Sequence, residues 1–220
     1  MKARVVIKMV ESGLVPVFYH SDFNTCKKVL KACYDGGLRV FEYTNRGNFA
    51  IEIFSELSKY SQKELPGMML GAGSLIDGGT ASLFIQSGAR FIVSPALVPE
   101  MASVCNKHNI LWTPGCGTVS EIVHAMELGA DIVKIFPGTQ VGGPDFVKAV
   151  KGPMPWTQIM PTGGVTTEKE NLKAWFEAGV CCVGIGSKLF PKEWVAKGSF
   201  DKIEELVKNT LSIIHQLKVA

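Results

Sequence analysis

The stretch "ELGADIVKIFPG", residues 127–138, carries the pattern on which the reading of the whole chain turns. Gly129 closes an amphipathic segment, in the place where glycine commonly ends a helix. Asp131 follows, then a short apolar run that Pro137 and Gly138 bring to an end. An apolar run of that length between turn residues reads as a strand buried on both faces, the kind that parallel sheets use. One lysine, Lys134, stands inside it, and lysine is almost never fully buried unless paired.

The same helix-to-strand joint recurs at "QSGA" (86–89) and "EAGV" (177–180). After an N-terminal helix, strands are predicted at 14–20, 38–44, 68–73, 90–94, 110–115, 131–136, 157–164 and 181–187. Helices follow them at about 22–35, 48–60, 77–88, 98–108, 118–128, 144–150, 168–178 and 200–217. Strands alternating with helices imply a parallel sheet, and eight such units imply closure into a (β/α)8 TIM barrel. "SDFNT" (21–25), "TVSE" (118–121) and "TTEKE" (166–170) supply N-caps, and TVSE has the form of a capping box. No linker or low-complexity segment divides the chain, so one domain, 1–220, is expected.

The composition agrees with a large core: 46% of the residues are hydrophobic and 20% are charged. A net charge of +3 is too small to indicate a nucleic acid or an anionic membrane as partner, but it leaves room for small anionic substrates. No apolar run approaches a membrane span, and the N-terminus lacks a signal-peptide core, so a cytoplasmic protein is expected. The six cysteines form no C-x-x-C pair or zinc spacing, and the four histidines are scattered. No metal site is therefore expected, although His20 stands at a strand end.

In a barrel, chemistry sits at the C-terminal ends of the strands. The polar residues there are Glu42, Thr44, Arg46, Ser74, Ser94, Thr113, Lys134, Thr162 and Ser187. Side chains alternate along a strand, so Lys134 shares a face with Ile132 and Phe136, and Glu42 shares one with Val40 and Thr44. A buried Lys–Glu ion pair is one reading of the two charges. The other is a nucleophilic amine, its pKa lowered by burial and by Arg46, with Glu42 as acid/base. "PTGGV" (161–165) and "GIGS" (184–187) follow the last two predicted strands, where barrels commonly bind phosphate through close backbone approach. Arg46, Thr162 and Ser74 offer a second anion site nearer the lysine, suited to a carboxylate.

These residues lie in stretches that resemble one family. They are "GGLRVFEYTNR" (36–46), "LGAGSL" (70–75), "SPAL" (94–97), "TPG" (113–115), "VKIFPG" (133–138), "GPMPWTQIMPTGGV" (152–165) and "VGIGSKL" (183–189). In order and spacing they are similar to the 2-dehydro-3-deoxy-6-phosphogluconate (KDPG) and 4-hydroxy-2-oxoglutarate (KHG) aldolases. The resemblance implies a class I aldolase that needs no metal or other cofactor and assembles as a homotrimer. It implies Lys134 as the Schiff-base lysine and Glu42 as the proton shuttle. Arg46, Thr162 and Ser74 would bind the pyruvate carboxylate, and Gly163, Gly164, Gly186 and Ser187 the phosphate. The expected reaction is cleavage of KDPG to pyruvate and glyceraldehyde 3-phosphate, with KHG or the 6-phosphogalactonate epimer as alternative substrates. A metal-dependent barrel enzyme and a non-catalytic sugar-acid-phosphate binding barrel are the readings from other classes. The chain departs from the family pattern at Ser74, often threonine, at the alanine of "SPAL", and at "FPGTQVGG", where F-P-A-E is more familiar.

Overall fold

The computed structural model describes residues 2–219. Strands and helices alternate along it. Helix α1 (Lys2–Ser12) comes first, then β1 (Leu14–Phe18), α2 (Phe23–Asp35), β2 (Val40–Thr44), α3 (Ala50–Glu64) and β3 (Met69–Gly73). Next are α4 (Gly78–Gln86), β4 (Phe91–Val93), α5 (Pro99–Lys107), β5 (Leu111–Thr113), β6 (Gly115–Cys116) and α6 (Val119–Glu127). The chain continues through β7 (Val133–Ile135), α7 (Gly143–Lys151), β8 (Ile159–Pro161), α8 (Lys169–Glu177), β9 (Val183–Ile185), α9 (Lys192–Lys197) and α10 (Phe200–Val219).

All strand pairs are parallel. Six strands form one sheet in the order β5-β4-β3-β2-β1-β9, and three form another in the order β6-β7-β8. The sheets meet at two places. Pro114 alone separates β5 from β6, and an isolated parallel bridge joins Thr162, just past β8, to Gly184 in β9.

The strand expected at 110–115 is thus broken, for a plain reason. Proline has no N–H for the ladder. Its carbonyl still accepts the N–H of Lys134 at 2.9 Å, so the path crosses to β7 without interruption. The strands expected at 157–164 and 181–187 are also shorter than predicted. Gly163 and Gly164 have φ of 95° and 80°, which turns the backbone out of the extended region straight after Thr162.

Local chemistry accounts for most helix ends. Asp22 accepts the N–H of Thr25 at 2.7 Å, and Thr118 with Glu121 forms the complete capping box. Gly88, Gly129 and Gly179 follow their helices with φ of 103°, 89° and 94°. The cap expected in TTEKE takes a different form. Helix α8 starts after Glu168 without a side-chain cap, and Thr166 Oγ1 accepts the Glu168 N–H instead. The short helix α9 was not predicted.

The core has two parts. A large one packs the helices onto the outside of the sheets, with Trp175, Phe54, Phe84 and Tyr43 among its largest fully buried side chains. A smaller one gathers Val15, Val40, Phe91, Val93, Leu111, Ile132, Met160 and Cys182 around Val5 and Met9 of α1. These residues come from β1, β2, β4, β5, β8 and the positions just before β7 and β9. They mark the strand faces that point inward, away from the helices.

Helix α1 therefore plugs that inner core at the N-terminal ends of the strands. Met9→Ala should cost about 2–5 kcal/mol of unfolding free energy. Ile7→Ala, on the exposed face of the same helix, should stay within about 0.5 kcal/mol. Urea unfolding of the two variants checks the contrast.

Candidate active site

On several strands the inward face changes character two residues along. Past Val40 comes Glu42, past Leu111 Thr113, past Ile132 Lys134, past Met160 Thr162, and past Cys182 Gly184. An apolar floor thus carries a polar layer, and alternation by two brings its members together. Register ties the layer to the ladders: Glu42 pairs with Val17 and Gly71, and Lys134 with Gly115 and Met160.

Glu42 is 1% exposed and Lys134 5%. Neither belongs to an ion pair within 4.0 Å among the described residues, so the paired-charge reading is not what the structure contains. Burial pushes the Lys134 ammonium below its ordinary pKa; Glu42 opposes that shift and Arg46 adds to it. Burial likewise raises the Glu42 carboxyl, against the pull of Lys134 and Arg46. A Cβ on Gly73 would overlap the Glu42 carboxylate, and one on Gly184 would overlap Thr162 Oγ1. Only glycine at those two positions leaves room for the polar layer.

Thr113 Oγ1, Thr162 Oγ1 and Glu42 Oε2 are buried without a hydrogen-bond partner in the protein. Buried polar groups are nearly always satisfied. Glu42 and Thr162 belong to the layer that holds Lys134, and Thr113, the ladder partner of Val93, stands at its lower edge.

Above this layer opens a cavity of about 710 Å³. Arg46, Thr162, Gly163, Gly164, Gly186 and Ser187 line it, so six of the nine predicted site residues share its wall. Lys134 and Glu42 are not part of its lining. Phe136 makes the connection: it lines the cavity, and its ring centre is 4.9 Å from Lys134 Nζ. Ser74 stands to one side, where its hydroxyl accepts the Arg46 Nε–H at 3.2 Å. Its backbone has φ of 61°, the left-handed region that L residues other than glycine seldom adopt.

The glycine loops lock together. Gly138 and Thr139 donate their N–H groups to the carbonyls of Thr162 and Gly163, and Thr139 Oγ1 adds a bond to Gly163. None of the N–H groups of Gly163, Gly164, Gly186 or Ser187 donates to a backbone carbonyl. Four donors at one end of a cavity suit an anion.

Sequence reasoning passed over Lys188 and Lys192, which line the same cavity. Their signal was their place just past GIGS, Lys188 directly after it and Lys192 at the start of α9, but a loop and a six-residue helix carry too little periodicity to aim them. His20 also lines it, with Nδ1 accepting the Asp22 N–H at 3.0 Å, so in the neutral ring Nε2 carries the proton. Among the described residues no carboxylate side chain lines this cavity. Among the described residues no three His, Cys, Asp or Glu side chains gather as a metal site.

The family model for KDPG and KHG aldolases matches residues 5–206. The chain belongs to that family. It is an aldolase, a carbon–carbon lyase. It is 31% identical over 202 residues to the 2-dehydro-3-deoxy-phosphogluconate aldolase of Pseudoalteromonas atlantica, covering 92% of this chain and 91% of that one. A similar solved structure is the KDPG aldolase of Legionella pneumophila with pyruvate captured at low pH as a covalent carbinolamine. It has a TM-score of 0.84 and 28% identity, over 92% of this chain and 96% of that one. The 2-keto-3-deoxy-6-phosphogluconate aldolase of Zymomonas mobilis with 3-phosphoglycerate has a TM-score of 0.82 and 26% identity, over 95% of both chains.

The electrostatics predict opposite shifts from two substitutions. Glu42→Gln removes the group that raises the Lys134 pKa and should move its titration to lower pH. Arg46→Met removes a cation that lowers it and should move the titration to higher pH. Carbon-13 NMR of Lys134 after reductive methylation reads both directions.

Proposed function

We propose that this aldolase works by the class I, Schiff-base route and cleaves KDPG to pyruvate and glyceraldehyde 3-phosphate. The observation that carries the reading is a lysine only 5% exposed, outside any ion pair, set in one layer with an equally buried carboxylate. Burial that disfavours the ammonium enlarges the share of free amine available to attack a ketone.

In this account Lys134 Nζ attacks C2 of the 2-oxo acid, and the carbinolamine loses water to leave an iminium. Glu42 takes the C4 hydroxyl proton. The C3–C4 bond breaks, its electrons pass into the iminium, and glyceraldehyde 3-phosphate departs. Glu42 returns a proton to C3 of the enamine, and water then hydrolyses the iminium to release pyruvate and the free lysine. Arg46, with Ser74 and Thr162, holds the C1 carboxylate. The free N–H groups of Gly163, Gly164, Gly186 and Ser187 take the phosphate. The carbinolamine captured in the Legionella relative supports the first step, and the 3-phosphoglycerate in the Zymomonas relative supports an anion subsite. Lys188 and Lys192 at the mouth, with no carboxylate to oppose them, favour a phosphorylated tail over the shorter KHG.

We read the two sheets as one eight-stranded barrel in a single domain, 1–220, with β5 and β6 as one strand and α1 as an extra N-terminal helix. The Thr162–Gly184 bridge and the inner core support closure. We also place the protein in the cytoplasm as a homotrimer, acting on a small 2-oxo acid phosphate; no helix of the described residues is long and apolar enough to cross a membrane.

The test is pyruvate release from KDPG, its galactonate epimer and KHG, read with a coupled dehydrogenase. KDPG should be cleaved with the highest kcat/KM. Lys134→Ala should abolish cleavage, and Lys192→Ala should raise KM for the phosphorylated substrates while leaving KHG unchanged. A wild type that prefers KHG would overturn the substrate assignment.

A further inference from the structure

Thr113 has no part in the route above, yet its surroundings are unlike those of Thr44 and Ser94, two other buried hydroxyls at the strand ends. Thr44 Oγ1 donates to the Phe18 carbonyl at 3.4 Å. Ser94 Oγ donates to the Ala96 carbonyl at 2.7 Å and accepts the Trp112 indole N–H at 3.1 Å. Thr113 is 0% exposed, and its Oγ1 has no partner in the protein.

Its position makes this informative. Thr113 shares an inward face with Leu111, which belongs to the apolar floor. It directly precedes Pro114, whose carbonyl accepts the Lys134 N–H, and it lies two residues before Gly115, the ladder partner of Lys134. The hydroxyl therefore lies at the junction of the floor and the polar layer, on the strand beside the lysine. The other two unpartnered oxygens, Glu42 Oε2 and Thr162 Oγ1, belong to that layer as well. Leaving a buried hydroxyl unmatched costs stability, and a valine of nearly the same shape would avoid the cost. A hydroxyl kept there bonds to something that enters the site.

We infer that Thr113 is a positioning residue for the water of the carbinolamine step, which it holds together with Glu42 and Thr162. The inference rests on the Schiff-base reading above. When the carbinolamine collapses, the C2–O bond breaks and the nitrogen lone pair closes the C=N bond. The departing oxygen takes a proton from the Glu42 carboxyl and leaves as water. On the return path a water held at the same place bonds to C2 through oxygen and gives its proton back to Glu42. Thr113 fixes that position from below, so the water that leaves, and the solvent water that replaces it, both meet C2 on the same face. Proton exchange at C3 runs through Glu42 on the enamine and does not involve Thr113.

This separation supplies the test. Pyruvate labelled with oxygen-18 at the ketone is incubated in deuterated water with wild type, Thr113→Val and Thr113→Ser. Loss of oxygen-18 above the enzyme-free rate reports the carbinolamine step, and methyl deuteration reports the enamine step. Thr113→Val should slow the enzyme-dependent oxygen exchange by about tenfold, the size of one lost hydrogen bond. Each pyruvate that does exchange its oxygen should then carry more deuterium than with wild type. Thr113→Ser should restore the wild-type ratio. Thr113→Val should melt at or above the wild-type temperature, by up to about 2–4 °C.

Two results overturn the inference: unchanged oxygen exchange in Thr113→Val, or proportional loss of both exchanges with a lower melting temperature, which marks ordinary packing. A wild type that exchanges neither label contradicts the Schiff-base reading itself and takes this inference with it.

Discussion

The structure is organised around the cost of holding an amine and a carboxylate out of water without pairing them. Taking a charge out of water costs several kcal/mol even after relaxation, and the usual remedy is a close ion pair. Lys134 and Glu42 do not form one. Burial instead pushes each toward its neutral form, with the lysine pKa lowered and the glutamate pKa raised. Neutral amine and carboxylic acid are the forms that attack a ketone and donate a proton. A fold that closed the pair would be more comfortable and would leave the lysine less reactive.

Other parts of the molecule follow from this. Gly73 and Gly184 clear the volume that Glu42 and Thr162 occupy. The apolar floor, closed by Val5 and Met9 of α1, keeps water from reaching the layer from below. Phe136 links Lys134 to the wall of the cavity. The buried amine and carboxylate therefore rest on strands, where positions are rigid, while the glycines and Ser187 of the cavity wall lie in the loops after β8 and β9. That division fits the common arrangement in which scaffold elements hold the reacting groups and loops vary.

Much of this could be read from the sequence because period-two alternation and cap chemistry are local. Gly88, Gly129 and Gly179 marked helix ends, and Val40–Glu42 and Ile132–Lys134 marked which residues share a face. What escaped the reading was long-range. Pro114 breaks a strand that otherwise looks continuous, and only the ladder shows that its carbonyl still serves Lys134. Lys188 and Lys192 sit beside and in a short helix whose direction depends on what it packs against, and the separation of Lys134 from Glu42 depends on how the two sheets are placed, not on either strand alone. The unmatched hydroxyl of Thr113 could not be seen at all without its neighbours, since Thr44 and Ser94 look equivalent in the sequence and are satisfied in the structure.

The most direct test of the central claim is borohydride reduction in the presence of pyruvate, followed by peptide mass spectrometry of wild type and Lys134→Ala. The account predicts a reduced pyruvyl adduct on the peptide containing Lys134, and none in the folded variant. No adduct in folded wild type, or an adduct on another lysine that survives the substitution, would contradict it.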